Sequence, residues 1–126
     1  MQTMRRLGYL LVACLWIPFS ALAGEPVIED VVVEESVAGG FNFSVTVRHE
    51  DEGWGHFADK WIILAPDSET VLGERVLFHP HIDEQPFTRS LRAVLVPEQY
   101  KQVRVRVHDR KHRWGSTDFV VDLPGR

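Results

Sequence analysis

Cysteine is nearly missing from this chain of 126 residues, and the only one, Cys14, falls inside an apolar leader. Met1 to Arg6 is short and basic, Leu7 to Ala23 is largely apolar, and the run ends Ala21-Leu22-Ala23. That is the three-part pattern of a secretory signal with a small-x-small cleavage site. The expected organisation is a signal peptide over residues 1–23 and one domain over 24–126. Cleavage removes Cys14, which excludes disulfides and thiolate ligands from the mature chain. It also removes Arg5 and Arg6, taking the net charge from −4 to −6. No basic stripe remains, which argues against nucleic acid as a partner. Past residue 23 no apolar run is long enough to cross a bilayer, so no stable membrane insertion is expected after cleavage. Helical periodicity of useful length is missing as well.

The expected location is therefore periplasmic or secreted. Leu11-Val12-Ala13-Cys14 reads as a lipobox, and a lipoprotein anchored at Cys14 is the alternative. The chain stays apolar from Leu15 to Ala23, where a lipoprotein usually turns polar.

What the mature chain does contain is alternation. Phe41, Phe43, Val45 and Val47 share one phase, and Val103, Val105 and Val107 share another, with Arg104, Arg106 and His108 opposite. Further strands are expected over Val27 to Glu35, Trp61 to Leu64, Val71 to Phe78, Phe87 to Val96 and Thr117 to Leu123. Seven short strands separated by turn signals predict an all-β fold, a seven-stranded antiparallel immunoglobulin-like β-sandwich.

Antiparallel order puts alternate loops at opposite ends. Loops after the second, fourth and sixth strands carry or adjoin all six histidines: His49, His56, His79, His81, His108 and His112. Imidazoles with nearby carboxylates suit a Zn, Cu or Fe ion. His79 and His81 flank Pro80, and in an extended segment two such residues point the same way, roughly 6.5–7 Å apart. They are the first expected ligands, followed by His49 or His56 and then His112. His108 continues the outward phase of its strand and is set aside. Asp83 or Glu84 would hold an imidazole tautomer, and Trp54 and Trp114 would wall the pocket. Asp51 and Glu52 read as solvated loop charges.

Three resemblances follow from these segments. HEDEGWGHFADKWIIL (His49 to Leu64) resembles a histidine-bearing segment of superoxide reductase of the desulfoferrodoxin type, with one more residue between the histidines. HDRKHRWG (His108 to Gly115) resembles that family's final loop, with His112 at the position of its histidine. The resemblance implies iron held by loop histidines and one cysteine, but Asp109 stands at the cysteine's place, so the axial thiolate is missing. VTVRHEDEG and VRVRVHDRKHRWG are similar to strand–loop segments of the Z subunit of the thiosulfate-oxidation carrier complex, which implies a protein partner. HPHIDEQPFTRSL (His79 to Leu91) resembles a segment of small exported bacterial proteins of immunoglobulin-like, E-set type, which implies export and fold but no activity.

The function expected is binding of a transition metal, or of a ligand through it, at the histidine-rich pole. The alternative is a protein-interaction or carrier-partner module that uses the same loops without metal, its partner a periplasmic protein. No nucleophile–base pair stands out, Ser90 and Ser116 having no supporting motif, so turnover is not expected.

Overall fold

The computed structural model describes residues 24–126, which contain eight strands and no helix. The expected signal peptide and Cys14 lie outside them. The strands are β1 (Val27–Glu35), β2 (Phe41–Arg48), β3 (Ala58–Leu64), β4 (Val71–Val76), β5 (Phe87–Val94), β6 (Gln102–Asp109), β7 (Arg113–Trp114) and β8 (Phe119–Asp122). β1, β2 and β5 form one antiparallel sheet. The second runs β4-β3-β6-β7, with β8 also paired to β6, and its ladders are antiparallel too.

The count corrects the expected seven. The loop after β6 folds straight back, pairing His108 with Trp114 and Asp109 with Arg113. Its charged composition hid a two-residue strand, since period-two alternation needs more residues than that to show.

The two sheets meet over an apolar core. Phe41, Phe43, Val45 and Val47 point inward from β2, and Val103, Val105 and Val107 from β6. Trp61 and Ile63 of β3 and Phe87 of β5 fill the space between. Phe43, Trp61 and Phe87 are the largest of the fully buried side chains. Truncating one of these aromatics to alanine costs about 3–5 kcal/mol.

The outer face of β6 is held differently. Arg104 Nη1 donates to Asp118 Oδ2 at 2.6 Å, and Arg106 donates to both Asp118 oxygens at 2.6 and 2.8 Å. Arg106 also reaches Glu69 at 2.7 Å. At one end of the sandwich, Arg126 donates to the carbonyls of Val96, Pro97 and Tyr100. The turn there is closed by Tyr100 N–H donating to Pro97 O at 3.1 Å.

Hydrogen bonds from Arg106 hold the Asp118 carboxyl below its ordinary range, against a smaller opposing effect of burial. A carboxyl whose folded pKa is depressed stabilises the fold above its unfolded value, and that contribution is lost as pH falls through the folded one. Asp118→Asn is therefore expected to cost about 1–2 kcal/mol at pH 7. The gap between variant and wild type should narrow as pH drops below about 4, as urea midpoints across that range will show. A gap that stays constant would mean the carboxylate charge contributes nothing.

Candidate metal centre

The inward stripes of β2 and β6 do not stop at the edge of the core. One residue pair beyond Val47 in the same phase is His49, and beyond Val107 is Asp109; both are buried. Polar groups in such positions need partners. They find each other: His49 Nε2 lies 2.9 Å from Asp109 Oδ2.

His56 joins them from the β2–β3 loop. That loop is drawn tight by Asp51 N–H donating to His49 O, Glu52 N–H to His56 O, and His56 N–H to Gly53 O. Gly53 allows the reversal with a φ of +124°, in the left-handed half of the map that favours glycine. His56 Nε2 then stands 3.2 Å from the same Asp109 Oδ2. The rings of His49 and His56 meet edge to face at 4.8 Å between centroids. A fourth group completes the convergence. The carbonyl oxygen of Gly24 lies 2.9 Å from His49 Nε2 and 3.2 Å from His56 Nε2.

The His49 ring is oriented from behind. His49 Nδ1 bonds Asp51 Oδ1, and because an ionised carboxylate only accepts, the proton sits on Nδ1. Asp51 Oδ1 also accepts from Ala58 N–H at 3.1 Å, and Oδ2 from His81 N–H at 2.6 Å. His56 Nδ1 lies 3.3 Å from Glu52 Oε2. Asp109 Oδ1 is taken up by the N–H groups of Lys111, at 2.9 Å, and His112. Its Oδ2 is thereby turned to the histidines.

The electrostatics follow from this geometry. Burial disfavours charge on His49, but the Asp51 bond, the Gly24 carbonyl, the Asp51 charge and Asp109 together outweigh it and raise its pKa. Burial likewise raises Asp51 and Asp109. For Asp51 the His49 bond and the two N–H donors more than offset it. For Asp109 the His112 and Lys111 amides and His49 do the same, so both carboxyls titrate low.

His49, His56 and Asp109 form a group that can hold a metal ion, with their ligand atoms all within 4.8 Å of one another. Around a tetrahedral ion with ligands at about 2.0–2.1 Å, neighbouring donor atoms stand about 3.3 Å apart. The 2.9 and 3.2 Å separations between Asp109 Oδ2 and the two imidazoles need little adjustment to meet that. A carboxylate behind each imidazole is the usual second layer of such a centre.

The other expected site residues take different places. His112 is exposed and meets His56 edge-on at 4.9 Å, on the open side of the group. His81 is buried and stacked on Phe87, and its Nε2 faces Arg89 Nη2 at 3.0 Å. Burial, then the charges of Arg89 and His79, lower its pKa and keep it neutral. Its contribution to the centre is its backbone N–H on Asp51. His79 is exposed beside His81, with ring centroids 4.6 Å apart and its Nδ1 turned to Pro80 O. Asp83 is exposed, and Glu84 stands 3.6 Å from Arg89. Trp54 is 65% exposed with its edge toward Phe57, and Trp114 packs on His108. His108 itself bonds Asp59 at 2.6 Å.

Asp51 is not a solvated loop charge, as its place in the sequence would have it, but a buried anchor for three segments. Neither Asp109 nor Gly24 is among the expected ligands, yet both turn an oxygen to the two imidazoles. Asp109 carried a signal, since it continues the inward phase of β6 as His49 does that of β2; Gly24 carried none.

The fold and site define an all-β chain with a buried two-histidine, one-carboxylate group. Comparison with known proteins adds one relative. A Halomicrobium mukohataei protein, described as "Putative lipoprotein", is 40% identical over 97 residues, 75% of this chain. The match spans 46% of that relative, so the chain covers about half the relative's length. No family model matches the chain. No solved structure matches it. The resemblances to superoxide reductase and to the Z subunit gain no support from these comparisons.

Asp51→Ala would strand the His49 Nδ1 proton and the N–H groups of Ala58 and His81. The expected loss is about 3–5 kcal/mol in denaturant unfolding, against less than about 0.5 for Glu50→Ala at its exposed neighbour. Equal effects of the two would remove Asp51 from its anchoring role.

Proposed function

We propose that this is an exported β-sandwich of immunoglobulin-like type that binds a transition metal at its histidine pole. The reading is carried by one observation: two imidazole nitrogens and a carboxylate oxygen, all buried, converge with a backbone carbonyl, while Asp51 holds the outer nitrogen of His49 and two backbone N–H groups hold the outer oxygen of Asp109. Two imidazoles and one carboxylate suit Zn²⁺, Cu²⁺ or Fe²⁺. Ligands are His49, His56 and Asp109, with His112 at the open side, and Asp51 orients the His49 ring. His79, His81, Asp83 and Glu84 form the neighbouring rim. The role is sensing, buffering or delivery of the ion. Export is supported by the leader and by the relative's description as a lipoprotein, which keeps anchorage at Cys14 as the alternative to release.

Exposed apolar side chains favour a second reading. Trp54, Phe78 and Ile82 are 65, 74 and 61% exposed on the loops of the same pole, as a docking surface for a periplasmic protein would be.

Calorimetric titration of the mature chain with Zn²⁺ and Cu²⁺ tests the first reading. About one ion per chain is expected, with binding abolished in His49→Ala and in Asp109→Ala, and kept within about threefold in the His79→Ala/His81→Ala double variant. Affinity should fall from pH 7.5 to 5.5, because imidazole ligands must shed their protons. A wild type that takes up neither ion sinks the metal reading. Loss of binding only in the double variant would move the site to His79 and His81.

A further inference from the structure

Gly24 is the residue that follows the expected cleavage point Ala21-Leu22-Ala23, and its carbonyl oxygen is one of the four groups that converge in the metal centre. That placement is close. A Cβ on residue 24 would lie 2.8 Å from His112 Nε2 and 3.0 Å from His56 Cε1, and φ there is +100°. Glycine is the residue that lets the backbone enter between these rings. Within one residue the nitrogen stands only about 2.7–3.6 Å from the carbonyl oxygen, as covalent geometry dictates. An ion at the carbonyl oxygen is met by the Gly24 nitrogen as well once the N–Cα–C–O torsion turns both atoms to the same side, a rotation that a chain starting at Gly24 is free to make.

While residue 23 is attached, that nitrogen is an amide, whose lone pair is delocalised and which does not ligate without losing its proton. Cleavage turns it into a primary amine, a good donor for Zn²⁺ and Cu²⁺. From the position of Gly24 we propose that removal of the leader completes the metal centre. The new amino terminus and the Gly24 carbonyl oxygen close a five-membered chelate on the ion held by His49, His56 and Asp109. The site is then weak in the precursor and strong only in the exported chain, so that metal is taken up after translocation. The inference rests on the metal reading and deepens it.

The test compares three chains that differ only at the start: one beginning at Gly24, one beginning at Ala23, and the Gly24 chain acetylated on its amine. Circular dichroism and thermal unfolding without metal should coincide, which separates ligand loss from misfolding. In Cu²⁺ titrations the free Gly24 chain is expected to bind at least tenfold more tightly than either other form. Its copper absorption band should lie at shorter wavelength, since an added nitrogen donor strengthens the ligand field. Equal affinities and superposable spectra would overturn this inference and leave the metal reading standing. Copper binding by none of the three would overturn both. Chain isolated after export should begin at Gly24, and a lipidated Cys14 start would overturn the inference because Gly24 would keep its amide.

Discussion

Lone pairs that face one another in a buried space repel, and the histidine pole is arranged around that constraint. Asp109 Oδ2 and Gly24 O stand 2.9 to 3.2 Å from the Nε2 atoms of His49 and His56, and the oxygens offer no protons of their own. Such an arrangement holds only with a hydrogen on each Nε2 or with a metal ion among the groups. His49, whose Nδ1 proton is held by Asp51, gains that hydrogen only as the imidazolium, in a ring already taken out of water. A divalent ion meets all four lone pairs at once. Asp51 does most to raise the pKa of His49, and the Gly24 carbonyl and Asp109, which would face an ion, add to it.

What keeps the groups from simply turning away is the second layer. Asp51 is the strongest element of it, because its two oxygens bind the His49 ring, the start of β3 at Ala58 and the β4–β5 loop at His81. Gln85 adds a further tie across the same gap: its Oε1 accepts from His49 N–H at 2.9 Å, and its Nε2 donates to His81 O at 2.8 Å. The loops at this pole are therefore fixed by buried polar bonds where the core between the sheets is fixed by apolar contact. Losing one such partner costs more than the bond itself, since the remaining group stays buried and unpaired.

Much of the fold could be read from period-two alternation: the β1 limits agree with the expected Val27 to Glu35, and β2 carries the phase of Phe41, Phe43, Val45 and Val47. β3 begins earlier than Trp61, at Ala58, because Ala58 pairs across to Asp109. The histidine pole was legible as a set of loops, because strand parity alone sorts loops to ends. Which histidines meet was not. The phase rule that set His108 aside applies with equal force to its neighbour, and Asp109, at the place where a cysteine was missed, turns inward. His79 and His81 looked best because they flank a proline in an extended run, yet Arg89 occupies one imidazole and Pro80 the other. A guanidinium eight residues downstream of His81 leaves no trace in spacing. Neither does Gly24, whose importance lies in the side chain it does not have.

The two kinds of polar cluster on this sandwich make the same point from opposite sides. Arg104 and Arg106 meet Asp118 and Glu69 with donors and acceptors matched in number and sign, so nothing further is called for there. At the histidine pole the oxygens outnumber the rings: two carboxylates and a carbonyl surround two imidazoles. Both clusters are built on β6, one from its outward residues and one from the end of its inward stripe. A chain selected for stability alone would end that stripe in another apolar residue. Ending it in Asp109, opposite His49 and His56, means that a cation bound there, as proposed, would add its binding free energy to the strands beneath it.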